Sequence, residues 1–172
     1  MNANELLCQA NKTQNPEDLR CILPPKELVI EIIDAVSQTI YEISKSPGSA
    51  ITTYTTELRG KIASTIAATV YAYTAGIYPS HEIEDLCQTD PLIKYLAGNH
   101  ELSQYDIRNT RKHYRKLIEN ALSLVLRKIF AIALQSKELF DCNCQKQLSD
   151  PFSESTKRIT KAIWLDTVYL DD

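Results

Sequence analysis

From Ile62 to Ser80 the chain carries no charged residue, and this stretch constrains the fold more than any other. A run of that length is enough to cross a bilayer as a helix. Its composition argues against that: Ser64, Thr65, Thr69 and Thr74 interrupt it, and alanine fills it rather than leucine. We read it as the buried central helix of a helical bundle, with no membrane contact. The helix is expected over about Thr56 to Ala75, with Leu58, Ile62, Ile66, Val70 and Tyr73 inward. Gly76 follows where a left-handed C-cap is wanted.

The rest of the chain reads the same way. In 172 residues there are four glycines and seven prolines, too few for a turn-dense all-β protein. A first helix is expected from about Lys26 to Ser44, on the stripe Leu28, Ile32, Val36, Ile40 and Ile43. Ser80 is expected to cap a short helix, and Asp90-Pro91 to start another that Gly98 closes. Ser103 to Asp106 resembles a capping box, from which a long helix would run to about Leu134 or Lys137. Residues 80–116 therefore have the outline of a helix-turn-helix-type unit. Asp141 to Ser155 reads as loop, and Ile159 to Leu170 as a strand or a short helix. The expected class is all-α: a helical bundle with a short irregular or strand-like C-terminal tail. The expected divisions are a polar leader at 1–23, a helical domain at 24–140, and a loop and tail at 141–172.

Five irregularly spaced cysteines do not make a disulfide framework, and the close pair Cys142 and Cys144 lacks neighbouring histidines for zinc. No phosphate-binding glycine loop, nucleophile elbow or H-E-x-x-H motif occurs. No catalytic residue, metal or cofactor is therefore expected, and the chain reads as a non-enzyme. The net charge of −3 excludes a globally basic protein but not a local basic face. On a continuous helix from residue 104, Arg108, Arg111, Lys112, Arg115 and Lys116 share one side, while Ile107, Tyr114, Leu117, Ile118 and Leu122 share another. Such a face can meet phosphates and base edges, with Gln104 and Asn109 suited to adenine. A solvated helix face, paired with Glu82, Glu84 or Glu101, would look the same in sequence.

Several spaced motifs add to this. Val70-Tyr71-Ala72-Tyr73-Thr74-Ala75-Gly76-Ile77 is followed by Ser80, Ile83-Glu84, Cys87, Asp90, Lys94-Tyr95-Leu96-Ala97-Gly98, Ile107 and Arg111-Lys112. In order and spacing, residues 23–116 resemble the N-terminal domain of bacterial insertion-sequence transposases of the DDE class. The resemblance implies a cytoplasmic, nucleoid-associated protein that binds double-stranded DNA, at transposon ends or in regulating transposition or transcription. It also implies a transposase N-terminal domain, truncated or domesticated, present without its catalytic half. Asp166 would then stand in a vestige of that half's first strand. The DNA-binding residues would be Gln104, Arg108, Asn109, Arg111, Lys112, Arg115 and Lys116. The alternative is a helical protein-interaction module whose 117–134 helix pairs with a second copy or with a full-length transposase.

Overall fold

The computed structural model describes residues 17–45, 55–98, 100–135 and 150–168. These form seven helices: α1 (Pro25–Ser44), α2 (Thr56–Thr74), α3 (Ser80–Thr89), α4 (Pro91–Ala97), α5 (Gln104–His113), α6 (Arg115–Gln135) and α7 (Pro151–Val168). No strand occurs among the described residues. The all-α expectation is met, and none of these helices is long and apolar enough to cross a membrane. The Cys142/Cys144 pair lies outside the described residues.

The uncharged helix is the centre of the fold. α2 packs against α1, α4, α5 and α6, and from Thr65 to Thr74 every residue is buried. Its buried threonines tolerate this because each hydroxyl bonds back along the helix: Thr65 to the Lys61 carbonyl, Thr69 to the Thr65 carbonyl and Thr74 to the Tyr71 carbonyl. A buried hydroxyl without a partner would cost about 1–3 kcal/mol. α1 and α6 lie against each other along the apolar stripes Leu28, Ile32, Val36 and Leu122, Leu126, Ile129. Gly76 has φ of 73°, the left-handed conformation expected after α2.

At the C-terminal end, residues 159–168 take the helical one of the two forms expected, while 151–155, expected as loop, are corrected to helix; α7 packs on α6 with Ile159 and Ala162 fully buried. The described part of the C-terminal segment thus belongs to the same core as the rest. Residues 17–23 of the polar leader are also docked. Leu23 is buried, and the Leu19 amide donates to the Thr74 carbonyl at 2.7 Å. Arg158 of α7 is buried too, donating to the Tyr73 and Glu17 carbonyls and pairing with Glu154 at 2.8 Å.

Candidate nucleic-acid interface

α5 begins at the cap its sequence announces. Ser103 Oγ accepts from the Asp106 amide at 3.2 Å, and the Asp106 carboxylate accepts from the Ser103 amide at 3.2 Å. That reciprocal pair satisfies two donors at the helix start. Lys61 of α2 reaches the same carboxylate at 2.8 Å, tying the cap to the central helix. Burial would raise the Asp106 carboxyl, but hydrogen bonds from Lys61 and Ser103 together outweigh it and hold it below its usual value.

The helix then ends sooner than its sequence suggests. Tyr114, at φ −122° and ψ 27°, leaves the helical region, and α6 starts afresh at Arg115. The single long helix expected over 104–134 is therefore two, and its basic side is not continuous.

The seven residues expected to meet DNA accordingly separate into three groups. Arg111 is 3% exposed and points into the fold. Its guanidinium pairs with the Asp166 carboxylate of α7 and donates to the Tyr78 carbonyl at 3.0 Å and the Ala162 carbonyl at 3.3 Å. It cannot reach a duplex from there, and the expectation that it is one of the DNA-binding residues is corrected. Asp166, expected as a vestigial catalytic acid on a strand, is the helical partner of this arginine. It also accepts from the Ser80 amide at 2.9 Å and from the Ser80 hydroxyl at 3.0 Å. Ser80 is thus the first residue of α3, after Pro79 as N-cap, and receives no capping role of its own.

Gln104, Arg108, Asn109 and Lys112 form the second group, on the outer side of α5. Gln104, Tyr105, Asn109, Lys112 and His113 are exposed and Arg108 is half-buried. Arg108 donates through Nε to Ser80 Oγ at 2.9 Å and through Nη2 to Gln104 Oε1 at 3.0 Å, and Nε lies 3.9 Å from the Asp166 carboxylate, so its head is held against the fold on one side and 29% exposed on the other. Opposite them Ile107, Thr110 and Arg111 are buried. Every fully exposed position of this helix carries a hydrogen-bonding side chain and none is a carboxylate; the half-buried Asp106 is taken up by Lys61 and the Ser103 cap.

Arg115 and Lys116, the third group, start α6. Both pair with Glu119, at 3.3 and 3.6 Å, yet they are 46% and 65% exposed. Arg115 also reaches Thr160 Oγ1 of α7 at 3.4 Å, and the Lys116 ammonium lies 4.8 Å from the Phe152 ring centre.

The sequence reading missed Asp166, Ser80 and Thr160 as partners of these cations, since they lie far along the chain. One signal was local: Arg111 follows Ile107 by four and precedes Tyr114 and Ile118 by three and seven, which is the spacing of the dry stripe.

No family model, no curated protein and no solved structure matches the chain.

Proposed function

We propose that this chain is a non-catalytic binder of double-stranded DNA that lays the outer side of α5 in the major groove. The observation that carries this is the unbroken outward row Gln104, Tyr105, Arg108, Asn109, Lys112 and His113, backed by a capped and internally braced helix. Ten residues of α-helix span about 15 Å, and the major groove, about 12 Å wide, admits one helix. Asn and Gln suit the adenine edge, Arg and Lys the guanine edge, and Lys112, Arg115 and Lys116 suit phosphates. The resemblance to transposase N-terminal domains supports the same reading and suggests the ends of an insertion element as the DNA bound. The corrected contact set is Gln104, Arg108, Asn109, Lys112, Arg115 and Lys116, without Arg111.

The test is selection from a random duplex pool, followed by fluorescence anisotropy on the selected site. Asn109→Ala should reduce discrimination at one position by about 1–3 kcal/mol. Lys112→Gln should weaken all sequences alike and lower the slope of log K against log salt by about 0.9. Absence of salt-sensitive binding by wild type would overturn the reading.

A second reading rests on a different surface. Ile30, Ile33 and Tyr41 are 57%, 40% and 59% exposed along one side of α1, a pattern that favours a protein partner. The expected pairing through 117–134 is corrected in any case, because Leu117, Leu122, Leu126, Ile129 and Phe130 are buried within this chain. A molar mass that rises with concentration and returns to 19.5 kDa in Ile30→Asp would support a second copy at α1.

A further inference from the structure

Beyond the bend at Tyr114 a second, separate basic cluster lies where α6 meets α7. The first half of α7 presents Phe152, Thr156 and Thr160 at spacings of four, with Lys157 beside them, along an open groove. α6 leans its first two residues against the same side, through the Lys116–Phe152 and Arg115–Thr160 contacts. Arg115 and Lys116 share one carboxylate, Glu119, whose side chain is only 10% exposed. With Lys157 the shelf holds three cations against Glu119 and, at its edge, Asp150, a local excess of positive charge on a chain whose net charge is −3. Of the acids on α7's first turn and at its start, Glu154 is taken up by Arg158, and Asp150 accepts from the Phe152 amide at 3.1 Å.

We infer that this α6–α7 shelf is a track for the sugar–phosphate backbone of the duplex flanking the α5 contact. The inference rests on the duplex-binding reading above and extends its footprint. Phosphodiester oxygens accept hydrogen bonds from ammonium, guanidinium and hydroxyl groups, and Arg115, Lys116, Thr156, Lys157 and Thr160 supply all three kinds in one row. Phe152 offers a flat apolar floor to a sugar. An open groove of this shape suits an extended strand better than an enclosed small molecule. Backbone contacts of this kind position a protein on DNA without reading sequence.

The experiment compares wild type with a Lys116→Gln/Lys157→Gln variant of the full chain, by anisotropy on the selected duplex from 50 to 200 mM salt. Removing two lysine–phosphate pairs should lower the salt slope by about 1.8, so affinity falls about tenfold less across that range than in wild type. Preference among sequences should be unchanged. The thermal midpoint should also be unchanged, since Lys116 and Lys157 are exposed. If wild type binds and the variant keeps the full slope, the shelf is not a backbone track and Lys116 leaves the contact set, while the reading of the outer row of α5 stands. If wild type shows no duplex binding, the α5 reading fails and the track falls with it. A variant that loses sequence preference at unchanged slope would also overturn the track, because it would make these lysines readers of bases.

Discussion

Arg111 and Asp166 lie 55 residues apart in sequence and form the main polar tie between α5 and α7. Taking two charges out of water costs several kcal/mol per ion, which is offset only when the remaining donors and acceptors are used. Here Ser80, Tyr78 and Ala162 use most of them, and Arg111 Nε is left without a hydrogen-bond partner among the described residues. Asp166→Ala would leave Arg111 charged and buried, and should cost about 3–5 kcal/mol in urea denaturation. An Arg111→Met/Asp166→Leu double variant should recover most of that; equal damage from the double variant would deny that the pair acts as a unit. An Arg111→Glu substitution, harmless on a solvated face, is expected to unfold the chain. Tyr73 tests the same region from the other side. Its hydroxyl is fully buried, has no hydrogen-bond partner among the described residues, and is pushed up to about 12 by burial. Tyr73→Phe should leave stability unchanged or raise it slightly, since an unsatisfied buried polar group is removed. A fall of more than about 1 kcal/mol would show that the hydroxyl is satisfied. None of these pairings was legible in the sequence, because no local pattern joins residue 111 to residue 166.

At the scale of single helices the sequence was more informative, because caps and breakers act over three or four residues. Asp90 accepts from the Leu92 amide at 2.8 Å ahead of Pro91, and Ser103 with Asp106 forms the expected box. The break at Tyr114 was not legible, as no glycine or proline marks it. α7 was obscured for another reason. Its buried set is Ser155, Arg158, Ile159, Ala162 and Asp166, which has helical spacing but is more than half polar. An apolar count sees Ile163, Leu165 and Val168 instead, and the step of two from 163 to 165 suits a strand as well as the step of three from 165 to 168 suits a helix. Two glycines give a paired prediction. Gly98 sits at φ 63°, so Gly98→Ala is strained although its Cβ would meet only Ser64 Oγ at 3.9 Å; it should lose about 1–3 kcal/mol. Gly60 lies inside α2 and a Cβ there would make ordinary contact with His100 at 3.5 Å. Gly60→Ala should therefore gain about 0.5–1 kcal/mol. Thermal melts of both variants check the pair, and a stabilised Gly98→Ala would contradict it. The α5 cap adds a pH dependence. Asp106 binds its proton less well when folded, so its contribution is present above its unfolded value near 3.8 and is lost as pH falls through the lower folded value. Asp106→Asn should flatten the acid limb of the stability profile; an unaltered limb would show that other carboxylates set it.

Across the whole molecule, the described elements make one body in which α7 and residues 17–23 close over α2 and α5. Lys161 pairs with Glu17 at 2.8 Å, and Arg158 joins both to the end of α2. The all-α class and the central uncharged helix were legible, because they follow from period and composition. The closing of the two ends was not, because it depends on polar pairs distant in sequence. Under the proposed function this closure divides the labour: Arg111 braces α5 from inside, and the outer row of α5 is the face proposed to meet DNA. Backbone amide and side-chain NMR of the full chain, titrated with the selected duplex, tests that division most directly. Signals of Gln104, Tyr105, Asn109, Lys112 and His113 should shift together, while the α1 residues Ile30, Ile33 and Tyr41 stay in place. Shifts confined to α1, or no shifts at all, would contradict the assignment of α5 as the face that meets DNA.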